Sequence, residues 1–429
     1  MPQGAASIWQ PRNVGCGRIS IDDQRRAAMM RGMIRRIIAA LALSATPAAA
    51  QDAPPPASVV VAFDRERIHP LIVEGLANKA SGRPVEANDP VRIASISKLI
   101  MALTTLRLMD EGKVDLDRDV SDYLGWQLQS PYNPGKPITL AHLLMHRAGL
   151  SDRAGYIIPL GESLQAKLAD PAAWRDTGPQ GVPSFEYTNL GAPLVATALE
   201  AASGERYDRL VERLVFKPLG VTACLNWVGC DAGMQARAVT LYRHTGEVAR
   251  DDPAEMPPAC TIPVAEGQGC DLDSYVPGTN ASIFSPQGGV RIGMMDLAKI
   301  GQTLAGLERN GFLSNRALEE WLYAMINAAN DLPPEQSLPD FCGYGLGTYG
   351  LIDAPPCRDD LFGDGRERIG HGGEAYGLRS GLWVSMEDGQ GVAYFTTEVP
   401  PPEGEVETAA ADPRETALMA RALGAAGKP

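Results

Sequence analysis

Between Lys98 and Arg107 the chain reads LIMALTTL, apolar on nearly every helical face. A helix of that kind is stable only when other elements cover all of its sides. The segment therefore marks the centre of the fold, as a helix from near Ser95 to a glycine stop at Gly112. Lys98 stands in its first turn, three residues after Ser95. Such a lysine is either a snorkelling stem at a helix end or a group with a chemical task. Positions three apart share a helical face. At the helix start, free N–H groups and the dipole favour negative charge developing on Ser95. Burial disfavours the ammonium, and a neutral amine can take the serine proton. Ser97 faces elsewhere. Taken alone, Ser-x-x-Lys is weak, because chance supplies it roughly once in a chain of this length.

The remaining elements place that helix. SVVVAF at 58–63 reads as a β-branched strand, and strands continue to Arg92 through a Ser-Gly turn. ITLAHLLMHRAGL predicts a short helix capped by Thr139 and stopped by Gly149, after an acidic, loop-like KVDLDRDVSDYL. LGAPLVATALEAASG predicts a helix ended by Gly204. GMMDLAKIGQTLAGLERNG and NRALEEWLYAMINAA predict two more. Strands return in GYGLGTYGLI, GLRSGLWVSM and GVAYFTTEV, the last two as a hairpin. A final helix has Asp412 as cap, Pro413 in first position and Glu415 completing a capping box. The fold class is α+β. One antiparallel sheet is built from both chain ends (51–115 and 285–429) and flanked by helices. A mainly helical subdomain is inserted over 116–284, and its Cys-rich excursion over 224–284 has no core of its own.

The amino terminus has the layout of a secretory signal peptide: Arg35 and Arg36, a short apolar run from Ile37, and small residues ending at Ala50. The run is too short to span a membrane. Residues before Met30 or Met33 read as an over-long start. Removing 1–50 takes away seven arginines and two aspartates, so the net charge goes from −13 to −18. That balance argues against nucleic acid or an anionic membrane surface as partner. Six of the seven cysteines remain: 224, 230, 260, 270, 342 and 357. In an exported protein they read as disulfides, and proximity favours 224–230, 260–270 and 342–357. Periplasmic or secreted localisation is expected.

Two further motifs bear on chemistry. In FEYTNLG, an extended backbone would point Tyr187 and Asn189 the same way. A phenol near an ammonium can act as base or shuttle, and an amide can donate to and accept from a substrate peptide group. In RIGHGGEAYGLRSGLWV, His371 precedes two glycines and a strand, and Gly372 and Gly373 let backbone approach a ligand closely. His142 and His146 are four apart, yet Leu143 stands where the zinc-protease pattern needs Glu. They read as structural, bonding backbone carbonyls. No metal or organic cofactor is expected.

Ser95-x-x-Lys98, Tyr187-x-Asn189 and His371-Gly372-Gly373, in that order, resemble the serine β-lactamase and penicillin-binding-protein superfamily. The nearest likeness is to its class C-like branch of esterases, D-aminopeptidases and DD-carboxypeptidases. VRIASISKLI, LMDEGKVDLDRDVSDYL and SPQGGVRIGMMDLAKI also look like family landmarks, so the likeness spans roughly 58–424. It implies the β-lactamase/transpeptidase-like fold, with Ser95 as acylated nucleophile and Lys98 and Tyr187 sharing the proton work. Asn189 would hold the substrate amide, and His371 would line the site opposite. Gly373 would border the substrate, and the N–H groups of Ser95 and Glu374 would form the oxyanion hole. Arg379 is a candidate for a fixed charge on a substrate carboxylate, or else a salt bridge. His-Gly-Gly departs from the Lys-Thr-Gly of most β-lactamases, and the Cys-rich stretch 224–270 lies outside the family pattern, placed to roof the cleft. The leading expectation is an exported serine hydrolase acting on an ester, a D-amino-acid amide or a peptidoglycan-type peptide. A β-lactamase and a non-hydrolytic penicillin-binding sensor or scaffold are the alternatives.

Overall fold

Along Ser58–Phe63 (β1), Val59, Val61 and Phe63 enter one buried cluster while Val60 enters a second. This is the period-2 signature of a strand covered on both faces. The computed structural model describes residues 54–176, 185–255, 258, 260–330, 343–352, 361–401 and 412–425. β1 lies within a six-stranded sheet with Ile68–Glu74 (β2), Tyr349–Leu351 (β3), Arg368–Ala375 (β4), Leu378–Val384 (β5) and Gly391–Thr396 (β6), in the order β3-β4-β5-β6-β1-β2. Every pairing is antiparallel, and β1 bridges the late strand β6 and the early strand β2. The sheet is thus built from both ends of the chain, and the α+β architecture is as expected.

Helices cover both faces. Every residue of helix α1 (Ile96–Asp110) from Ile96 to Leu106 is buried, and the helix packs on β4 and β5, on Gly191–Ser203 (α2) and on Asn315–Asn330. Thr104 and Thr105 are tolerated there because each hydroxyl donates to the carbonyl four residues back. Met294–Ala305 (α3) lies across β1, β2, β5 and β6. Pro413–Ala425 (α4) contacts β2 and sends Leu418, Met419 and Ala422 into the smaller cluster with Tyr394 and Trp383. The Asp412 N–H donates to Glu415 Oε2 at 3.0 Å, with Pro413 first in the helix. One cluster joins Val59 and Leu99 to Leu143, Leu194, Leu210 and Phe284, so the helical part shares its core with the sheet.

Several elements differ from the sequence reading. The 139–149 helix has its expected Thr139 cap but ends at Leu144, and His146 then adopts φ +56°. A four-residue helix, Ser121–Leu124, interrupts the acidic loop. His371-Gly372-Gly373 lies inside β4 and not ahead of a strand. In GYGLGTYGLI only Tyr349–Leu351 pairs as strand. The excursion is pinned by Cys224–Cys230 and Cys260–Cys270. It also has a small cluster of its own, Cys224, Trp227, Met234 and Ala238, because Trp227 needs cover that the main core does not reach. Residues 1–50 and the 342–357 pairing lie outside the described residues.

Candidate active site

Ser95 owes its position to the short segment before it. Val91–Arg92 pairs with Arg291–Ile292, and the Ile93 N–H donates to Val290 O at 3.1 Å. From the other side, Ser380 Oγ of β5 donates to Ile93 O at 3.1 Å. Ala94 then takes φ +46°, a conformation unfavourable to any residue with a side chain and found where a fold holds a site in place. Ser95 follows as the residue before α1, and its hydroxyl makes no capping bond to the helix. Lys98, 1% exposed, donates to Ser95 Oγ at 3.1 Å, to Asn189 Oδ1 at 2.8 Å and to Gln287 O at 3.2 Å. Ser97 turns away, its hydroxyl accepting from the Val290 N–H.

Tyr187 and Asn189 lie outside helix and strand, just ahead of α2, and converge on the same amine. The Tyr187 ring centroid is 4.7 Å from Lys98 Nζ. His146 sets this segment: its carbonyl accepts from the Glu186 N–H, and its Nδ1 accepts from the Thr188 N–H at 3.2 Å. Its ring packs 4.5 Å from that of Tyr187. His146 is therefore structural, but it bonds amide hydrogens where carbonyls were expected. His142 is remote from this role, sharing a reciprocal capping box with Thr139. Asn189 has both ends of its amide engaged: the oxygen takes Lys98 and Nδ2 donates to Asp152 Oδ2 at 3.1 Å. Asp152 thus fixes which way the amide points, with its oxygen on Lys98, while Asn189 also lines the cleft.

On β4, Gly373 permits a close approach. A Cβ there would lie 2.4 Å from Ile93 O and 3.2 Å from the Ala94 Cβ. The bare backbone lets the strand sit against the residues leading to Ser95. Ser95 and Glu374 line one cleft. The His371 ring is 1% exposed and bonds Tyr344 Oη through Nε2 at 2.9 Å. Burial, reinforced by the Lys98 charge, pushes its pKa down to about 3, so the ring is neutral. Burial, followed by Lys98 and then His371, also pushes the His146 pKa well below its ordinary value. Arg379 pairs with Glu374 at 2.8 Å and lies 3.8 Å from Glu415, a buried ion pair where a substrate charge had been the other expectation.

The cleft encloses about 780 Å³. The Cys-rich excursion supplies a whole wall, including Trp227, Arg250 and Ile262. Asp152, Gln287 and Arg92 escaped the sequence reading. Asp152 lies 37 residues from Asn189, a separation without periodicity, and Gln287 contributes a backbone carbonyl that side-chain identity does not announce. Among the described residues no group of three His, Cys, Asp or Glu side chains is placed to share a metal ion.

A model of the family described as Beta-lactamase matches residues 44–414. Esterase EstB of Burkholderia gladioli is 27% identical over 215 residues, covering 46% of this chain and 51% of that protein. The D-alanyl-D-alanine-carboxypeptidase/endopeptidase AmpH of Escherichia coli (strain K12) is 32% identical over 139 residues, 30% of this chain and 35% of that one. The match thus spans about half or less of these relatives. Among solved structures, a class C beta lactamase from Rhodobacter sphaeroides has a TM-score of 0.58 at 16% identity, covering 86% of this chain and 93% of that one. D-amino acid amidase from Ochrobactrum anthropi SV3 has 0.57 at 19% identity, with the same coverage. At such identities these likenesses speak to the fold, and they repeat the architecture described above. With the family model running across most of its length, the chain belongs to the Beta-lactamase family.

Proposed function

We propose that the protein is a periplasmic or secreted serine hydrolase that acts through an acyl-enzyme on an ester, a D-amino-acid amide or a peptidoglycan-type peptide. The observation that carries this is the buried Lys98 amine, 3.1 Å from Ser95 Oγ and gripped by Asn189 Oδ1 and Gln287 O. Once it has given up its third hydrogen, the amine has two hydrogens and one lone pair. Those two acceptors can take both hydrogens, which turns the lone pair toward the serine hydroxyl.

Ser95 Oγ attacks the substrate carbonyl carbon while its proton passes to Lys98. The Tyr187 phenol, with its ring beside the same amine, relays the proton to the departing oxygen or nitrogen as that bond breaks. Water then attacks the acyl-enzyme, giving its proton back along the relay and releasing the acid and free Ser95. The N–H groups of Ser95 and Glu374 serve as oxyanion donors, supported by their shared cleft and the close approach at Gly373. Export is supported by the disulfides 224–230 and 260–270, which belong to an oxidising compartment. Amino-terminal sequencing of the processed protein should begin at Gln51.

The test is turnover of a p-nitrophenyl ester and labelling by a fluorescent penicillin, each with Ser95→Ala as control. Ester turnover lost in the variant, with a Ser95-bound acyl adduct in the intact mass, supports the hydrolase. A stable label without turnover would instead mark a penicillin-binding sensor. Turnover that persists in Ser95→Ala sinks the assignment.

A further inference from the structure

Arg92 is set three residues before Ser95 and lines the same cleft. It is 9% exposed. Among the described residues its guanidinium has no hydrogen-bond or ion-pair partner, and its Nε is buried without one. Its strand neighbour is directly opposed: Arg92 pairs in register with Arg291. Like charges facing each other across an antiparallel pair are destabilising. Arg291 is compensated by Asp251 at 3.0 Å, a carboxylate that also accepts from Trp227 Nε1. Arg92 makes no such ion pair, although the Asp251 charge and the Tyr376 phenol favour its cationic form. Burial and Arg291 outweigh that help, so the buried cation is left short of direct partners.

The surroundings are built to hold that cation and to leave one side of it for something else. Tyr376 and Gly377, both at positive φ, form the tight turn between β4 and β5. Gly377 is pressed on by Tyr242 O, which a Cβ would meet at 2.5 Å. The turn puts the Tyr376 ring 5.2 Å from the Arg92 guanidinium and 5.1 Å from that of Arg250. Arg250 Nη2 reaches the Tyr376 hydroxyl at 3.5 Å. Burial would raise that phenol's pKa, yet the guanidiniums of Arg92 and Arg250 outweigh it and bring the pKa down. Burial, and then Arg291, push Arg92 down to about 10, still charged at neutral pH.

We propose that Arg92, with Arg250 and Tyr376 beside it, forms a carboxylate-binding subsite of the Ser95 cleft, so that the preferred substrates are esters or amides bearing one carboxylate. This rests on the hydrolase reading above. A planar carboxylate matches the guanidinium fork. Asp252 and Glu255 line the same cleft and count against a multiply charged anion such as a phosphate.

The experiment compares kcat/KM for 3-acetoxybenzoate with that for its methyl ester, as a ratio within each protein, so that a general loss of activity cancels. The wild-type ratio is expected to be about 10 or more, falling about tenfold in Arg92→Gln and about threefold in Arg250→Gln. Arg250 is exposed, so its variant decides the matter should Arg92→Gln fail to fold. A wild-type ratio of one or less, or a ratio unmoved by the variants, overturns the subsite. Saturation-transfer NMR with 3-hydroxybenzoate, 3-hydroxybenzamide and 3-hydroxyphenyl phosphate needs no catalysis. Benzoate binding that weakens in the variants supports the subsite even if neither ester is turned over, in which case the hydrolase reading alone has failed. Equal binding of benzoate and benzamide, or stronger binding of the phosphate, overturns it.

Discussion

Asp152 takes the backbone N–H of Asn189 at 2.8 and 2.9 Å on its two oxygens, and the side-chain Nδ2 of the same residue at 3.1 Å. It also accepts from the Leu190 N–H, serving the amide hydrogens at the start of α2. The carboxylate therefore decides the orientation of the amide whose other end holds Lys98. Asp152→Ala should lower kcat about 10- to 100-fold with KM little changed, since Asp152 acts through Asn189 and does not line the cleft. Asp152→Asn keeps one acceptor oxygen and should recover part of the loss. A change confined to KM would argue against positioning. Steady-state kinetics on both variants checks this.

Tyr187→Phe keeps the ring against His146 and Lys98 and removes only the phenol oxygen. If the phenol relays protons, kcat/KM should fall about 10²- to 10⁴-fold. The melting temperature should stay within a few degrees of wild type. Full activity in a folded Tyr187→Phe protein would remove Tyr187 from the chemistry.

Gly373→Ala adds a methyl group where only 2.4 Å separates it from Ile93 O. Overpacking against backbone should cost about 1–3 kcal/mol of stability. It should also cost turnover, because β4 must retreat from the residues that lead to Ser95. Denaturant titration alongside kinetics reads both effects. Unchanged activity in the variant would dissociate Gly373 from the site.

His371 gives an acid-side dependence. Its folded pKa of about 3 lies below the ordinary 6.5. The folded state therefore resists its protonation, and the associated stability is full above about 6.5 and is lost as pH falls toward 3. In His371→Gln this part of the decline should disappear. Melting temperatures between pH 4 and 7 in both proteins provide the measurement.

Glu200 runs the other way. The carboxyl accepts from Tyr275 Oη at 2.5 Å and from the backbone N–H groups of Tyr207 and Gly278. Burial nevertheless outweighs these bonds and raises its pKa to about 7 from 4.5. Stability from this group is full below about 4.5 and is lost as pH rises through 7, by on the order of 3 kcal/mol. Glu200→Gln should flatten that slope between pH 5 and 8. An identical slope in the variant would show that the carboxyl stays ionised when buried.

Much of this protein was written in local pattern. Alternation in SVVVAF, the all-round apolar face of α1, Gly204 and Gly112 as stops and the Asp412 cap each follow from forces acting within a few residues, and each element formed where its pattern lay. Ser95 and Lys98 were legible as a pair because three residues on a helix share a face. What tertiary structure decided are relationships across long separations. Asp152 turns the Asn189 amide so that its oxygen holds Lys98, and His371 is buried and neutral against Tyr344. Glu415 and Glu374 claim Arg379, while Asp251 pairs with Arg291 and leaves Arg92 without an ion pair. The physical reason is that a side chain's charge, orientation and availability depend on which distant groups share its small volume. Hydrophobic period and turn chemistry determine elements, but they do not rank those encounters.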